Sequence, residues 1–143
     1  MAIRSSTAQW EGDLKGGNGT MTVGKGAYTG PFTFASRFEE AAGSNPEELI
    51  AAAHAGCFSM ALSANLSKGG NVPKSVKTKA DVHLDPDPAG GMRVSKIDLY
   101  TDAEVPGIDP AKFQEAVEAT RTGCPISKLL KGGAEITVKA TLK

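Results

Sequence analysis

The chain has 143 residues, with acidic and basic side chains balanced at 16 each, so its formal net charge is zero. That length fits a single domain, residues 1–143, with a sizeable buried core. No basic run and no interleaving of aromatic and basic residues occurs, which argues against a nucleic-acid partner.

The first residues, MAIRSSTAQWEGDL, lack the apolar core and cleavage site of a secretory leader. Two cysteines without such a leader point to a reducing cytoplasm, where a pair is reactive or simply buried rather than a structural staple. Ser5–Leu14 alternates weakly and reads as a first strand, Gly16–Gly19 as a turn, and Thr20–Val23 as the returning strand. After a loop at Gly24–Gly30, the spacing predicts a third strand over Pro31–Arg37, with Phe32 and Phe34 on one face and Arg37 at its far end.

A polar link, FEEAAGSN, leads into Ser44–Leu66, predicted as a central helix. Ser44 or Asn45 supplies the cap, Pro46 the first turn, and Glu47 and Glu48 complement the helix dipole. From Leu49 onward the segment is apolar on nearly every side, the pattern of a buried helix. Its length approaches a membrane span, but His54, Ser59, Ser63, Asn65 and the leading glutamates argue against a bilayer. A small sheet covers only part of such a helix. A second copy of the chain is therefore expected on its other face, giving a homodimer. Lys68-Gly69-Gly70 stops the helix.

Ser75–Leu84 and Met92–Val105 alternate clearly across a turn at Pro86–Gly91 and predict a hairpin. Asp109 caps a helix that Pro110 begins and that ends near Gly123. Cys124-Pro125 opens a short helix closed by Gly132-Gly133, and Ala134–Leu142 reads as a last strand. The fold class is α+β: an antiparallel sheet packed against a long buried central helix.

Four residues are candidates for chemistry. Cys57, in mid-helix, is either an inert packing residue or a reactive thiol that requires a cationic neighbour to lower its pKa. Cys124, beside a helix N-terminus, meets exposed amides that favour a thiolate; the alternative is a small residue tolerated at a helix start. The 67-residue interval between them decides nothing about a disulfide, which depends on spatial approach. Arg37 carries a permanent charge suited to stabilising a thiolate, and Glu47, or its neighbour Glu48, suits a bidentate grip on that arginine. Each is otherwise an ordinary surface or first-turn residue. His54 precedes Cys57 by one turn and is read as a buried, hydrogen-bonded histidine. His54, Cys57, His83 and Cys124 are too few and too irregularly spaced for a zinc signature, so no metal is expected.

The run SRFEEAAGSNPEELIAAAHAGCFSMALSANL resembles the core motif of the OsmC/Ohr family of bacterial thiol peroxidases. ATRTGCPISKLLK resembles the segment that holds the family's second cysteine, and QWEGDLKGGNGT and VPGID agree with the OsmC branch. The likeness spans essentially the whole chain, and no departure removes a functional residue. It implies that Cys57 is the peroxidatic cysteine and Cys124 the resolving one, with Arg37 activating the thiolate and Glu47 orienting Arg37. It also implies an intertwined α+β homodimer with active sites at the subunit interface. The expected activity is reduction of organic hydroperoxides through a Cys57 sulfenic acid and a Cys57–Cys124 disulfide, recycled by an external dithiol, with lipoyl-type dithiols suggested by the resemblance. Such a cycle requires no cofactor. Leu49, Ala53, Met60 and Phe38 are expected to favour alkyl or aryl hydroperoxides over hydrogen peroxide. The competing reading is a thiol-based redox sensor or small-molecule binding protein without useful turnover.

Overall fold

The computed structural model of the protein describes residues 1–133 together with Thr137 and Lys139. The strand expected over Ala134–Leu142 therefore lies outside the described residues, apart from those two positions. The chain divides into two compact units: Met1–Ile50 with Val82–Lys96, and Ala51–Asp81 with the described residues from Ile97 onward.

In the first unit, β1 (Ser6–Glu11), β2 (Asn18–Val23) and β3 (Tyr28–Phe32) form an antiparallel sheet in the order β1-β2-β3. Trp10 on β1 meets Phe32 on β3 with ring centroids 5.2 Å apart across β2. The residue between them is Gly19, where an added Cβ would stand 2.5 Å from the Phe32 ring. Glycine at that position lets the two outer strands share one aromatic contact.

The third strand ends earlier than its Phe-Thr-Phe alternation suggests. Residues Phe34–Phe38 form a short helix, α1, so Arg37 sits in a last helical turn and not at the end of a strand. The reason is a capping box: Thr33 Oγ1 accepts from the Ser36 N–H at 3.0 Å, and Ser36 Oγ accepts from the Thr33 N–H at 2.9 Å. A serine in place of the usual Glu or Gln at that position hid the signal.

The central helix, α2, runs over Pro46–Lys68. Asn45 is its cap, with Oδ1 accepting from the Glu48 N–H at 2.9 Å. At the other end Gly70 adopts φ 85°. The Gly70 N–H then reaches Ser67 O at 3.0 Å and the Asn71 N–H reaches Leu66 O at 3.0 Å, a Schellman closure. Both ends were legible, the start to within Ser44 or Asn45, because each depends on residues within five positions.

In the second unit, His54, Phe58, Leu62 and Leu66, four apart along α2, are buried. Phe58, Leu62 and Leu66 form a core with Val76, Leu99, Val105, Ile108, Phe113, Ala116 and Val117 packed against it. On the opposite side Ala52, Ala53, Gly56, Met60 and Ala64 are exposed. The helix is thus covered on one face of the chain, not on all sides. Its composition hid this because both faces are apolar. By length and composition α2 would also cross a bilayer. However, Ser59, Asn65 and His54 bond to Thr78, Thr120 and Ser127, which makes it a helix packed inside a domain.

The hairpin consists of β4 (Ser75–Pro86) and β5 (Met92–Glu104), joined through a turn in which the Asp87 N–H reaches Gly91 O at 2.9 Å. Helix α3 (Pro110–Gly123) is capped by Asp109, whose Oδ1 accepts from the Ala111 N–H at 2.7 Å. Cys124 ends α3 and begins α4 (Pro125–Leu130). Within the described residues the fold is α+β.

Candidate active site

The candidate residues come together as two pairs, each inside its own unit. In the first, Arg37 Nη2 donates to Glu47 Oε1 at 2.6 Å, and Nε lies 3.1 Å from Oε2. Glu47 is buried, and Arg37 is partly open to solvent and lies over the Phe38 ring at 5.2 Å. A carboxylate with only 11% of its side chain exposed is costly to bury alone, so the guanidinium fork is what makes its burial tolerable.

The local chain explains this pairing. Ser36 Oγ donates to Ser44 O at 2.8 Å, the Ser44 N–H reaches Pro31 O at 3.0 Å, and Asn45 Nδ2 donates to Ser36 O at 3.0 Å. These bonds tie α1 to the start of α2 and set Arg37 opposite Glu47. Glu48 points elsewhere and accepts from Ser44 Oγ at 3.2 Å. Of the two glutamates left open by the sequence, Glu47 is the one Arg37 holds.

In the second pair, Cys57 Sγ and Cys124 Sγ are 3.1 Å apart, and both cysteines are free. That is roughly 1 Å beyond a disulfide bond length, so little movement separates the thiols from a bond. Cys57 is half-buried on α2, while Cys124 is fully buried. Cys124 is held in place by α3: its N–H reaches Thr120 O at 2.9 Å, and Thr120 Oγ1 accepts from Asn65 Nδ2 on α2, also at 2.9 Å.

The two thiols differ electrostatically. Burial pushes the Cys57 thiol up, the contact with Cys124 adds to this, and the Ile126 N–H pulls weakly the other way. Burial opposes ionisation of Cys124 as well, but the N–H and hydroxyl of Ser127, the Cys57 thiol and the Ile126 N–H outweigh it, and Cys124 is lowered. Either sulfur is close enough to donate to the other. Of the two, Cys124 is therefore the more readily ionised. The direction agrees with the position of Cys124 at the start of α4, although its side chain makes no capping hydrogen bond there.

His54 is buried with Nε2 2.7 Å from Ser127 Oγ, as a hydrogen-bonded core histidine. Ser127 was not singled out from the sequence. Its position three residues after a helix-capping cysteine, where a side chain folds back toward the cap, is the signal that points to it.

Residues 39–139 match the family model described as OsmC-like protein. The chain is 47% identical over 141 residues to peroxiredoxin OsmC of Escherichia coli K12, covering 98% of this chain and 96% of that protein. It is 32% identical over 97 residues to organic hydroperoxide resistance protein OhrB of Bacillus subtilis 168, covering 68% and 69% of the two chains. The crystal structure of that OhrB superposes with a TM-score of 0.67 at 27% identity, covering 92% of this chain and 93% of that one. An OsmC-like protein of unknown function from Vibrio cholerae shares the fold at a TM-score of 0.72. The relatives and the α+β fold place the chain among bacterial peroxide-related redox proteins. The chain belongs to the OsmC-like family.

Proposed function

We propose that this protein is a thiol-dependent peroxidase that reduces organic hydroperoxides to alcohols, acting as a single-domain homodimer. The observation that carries this reading is the 3.1 Å approach of two free sulfurs, one of them biased toward the thiolate. The names of the E. coli and B. subtilis relatives support the substrate class.

In the first step the Cys57 thiolate attacks a peroxide oxygen, the O–O bond breaks, and alkoxide leaves and takes up a proton as alcohol. Cys57 becomes a sulfenic acid. Because Cys57 is the thiol raised in the resting pair, this step requires a cation, and Arg37 is the residue proposed to supply it. Glu47 occupies the Nε–Nη2 edge of the guanidinium. In the second step the Cys124 thiolate attacks Cys57 Sγ, the S–O bond breaks, and hydroxide leaves as water after protonation. An external dithiol, of lipoyl type by family resemblance, then reduces the disulfide by exchange and is itself oxidised. A cytoplasmic setting would keep that reductant available.

The deciding experiment is free-thiol titration after one equivalent of cumene hydroperoxide. Wild type is expected to lose both thiols, Cys57→Ser none, and Cys124→Ser to give a sulfenic acid trapped by dimedone. Retention of both thiols in wild type over hours overturns the reading. Loss of thiols without multiple turnover on added dithiol would instead identify a sensor.

A further inference from the structure

We infer that Asn65 and Thr120 are positioning residues: their hydrogen bond locks the register of α2 against α3 and so sets Cys124 opposite Cys57 for disulfide closure. This rests on the reading of the two cysteines as a redox pair. Asn65 Nδ2 donates to Thr120 Oγ1 at 2.9 Å, and Thr120 Oγ1 donates to Ala116 O at 2.7 Å. Thr120 O accepts the Cys124 N–H at 2.9 Å. One residue of α3 thus meets α2 through its side chain and Cys124 through its backbone.

Thr120 is a polar residue in an apolar seam. Along α3, Phe113, Ala116 and Val117 pack on the core made by Phe58, Leu62 and Leu66 of α2, and Thr120 follows at the next helical step, 0% exposed. Apolar packing has no preferred direction, so those contacts tolerate a slide or roll of α3 along α2. A hydrogen bond does not, because it weakens steeply with misalignment. The Thr120 hydroxyl uses its only proton on Ala116 O. It can then only accept, and the Asn65 amide on the facing helix supplies the donor. Fixing register is the best-attested use of a lone polar pair in an apolar helix seam.

The bond is placed to act on the thiols. Asn65 follows Cys57 on α2, whereas Thr120 precedes Cys124, so the two contacts run in opposite senses along the two segments. Two contacts of this kind define how far one element has moved along the other. A slip of α3 by one turn would carry Cys124 roughly 5 Å along α2, well beyond the 3.1 Å sulfur contact. Cys124 is itself 0% exposed and tied to Thr120 through its N–H, so it follows that residue.

The test is the equilibrium of the Cys57–Cys124 disulfide in glutathione buffers, read by thiol alkylation in the absence of peroxide. As the S–S bond forms, the two cysteines give up two electrons and two protons, and oxidised glutathione is reduced to two thiols. Thr120→Val, which keeps the shape and removes the hydroxyl, should shift this equilibrium toward the dithiol by about tenfold, or about 30 mV. Asn65→Ala should do the same, while Thr120→Ser, which keeps the hydroxyl, should retain the wild-type potential. A merely structural role would lower the melting temperatures of the oxidised and reduced forms alike and leave the potential unchanged. That result in Thr120→Val overturns the inference; where this variant does not fold, the same result in Asn65→Ala, at a partly buried position, overturns it. Failure of wild type to form the disulfide in oxidised glutathione overturns it as well. If cumene hydroperoxide leaves wild type unoxidised while the variants shift the glutathione equilibrium, the peroxidase reading falls and the register lock stands.

Discussion

At the scale of single residues, charge placement separates the two sulfurs more than their exposure does. Cys124 is the more deeply buried, yet amides and a hydroxyl lower its pKa, while burial and the neighbouring sulfur raise that of Cys57. Arg37→Lys keeps the charge but gives up the planar fork that Glu47 grips at two atoms. The expected result is a loss of about tenfold or more in kcat/KM for cumene hydroperoxide. Equal activity in steady-state assays would remove Arg37 from the mechanism. His54 gives a second residue-level expectation. Its pKa is lowered from 6.5 by burial, so the unfolded chain binds more protons once pH drops below that value. The stability contributed by the neutral ring is thus complete above pH ~6.5 and is lost as pH falls toward the lowered folded value. Melting temperature measured from neutral pH down to pH ~5 should show this decline in wild type and a flatter profile in His54→Gln.

At the scale of elements, α2 does two jobs with two faces. Its buried side carries Phe58, Leu62 and Leu66 into the core and places Cys57 against Cys124, which α3 delivers. Leu62 is 0% exposed, so Leu62→Ala should cost about 3 kcal/mol in urea unfolding, from lost transfer energy plus a cavity. The same substitution is expected to slow disulfide closure, because α3 packs on that core. A cost below ~1 kcal/mol would mean that the site collapses freely and that the core does not set the thiol distance. In the first unit, α1 serves Arg37 alone: a helix of five residues persists because Thr33 and Ser36 cap each other and Ser44 and Asn45 tie it to α2.

At the scale of the whole molecule, the exposed face of α2 is the strongest sign of a second subunit. Met60 is 77% exposed amid Ala53, Gly56 and Ala64, a surface with small residues that admit a close partner. A charge there should be incompatible with an apolar interface. Met60→Glu is expected to sediment as a monomer where wild type sediments as a dimer, with reduced peroxidase activity. A wild-type monomer at assay concentration would overturn the homodimer.

What the sequence determined by itself was local: the cap at Asp109, the α2 cap to within Ser44 or Asn45, the glycine stop at Gly69-Gly70, the alternation of β4 and β5, and Cys124 at a helix start. Each depends on residues a few positions apart, so hydrogen-bond geometry and side-chain period suffice to read them. The helix at α1 escaped because its box uses serine and because phenylalanines two apart imitate a strand. The choice of Glu47 over Glu48, the 3.1 Å sulfur contact and the His54–Ser127 bond were decided only by tertiary structure. These join residues 10, 67 and 73 positions apart, and no local pattern encodes a distance that packing alone sets. The face of α2 left uncovered was likewise hidden, because apolar residues surround the helix and only the neighbours that pack against it distinguish one side from the other.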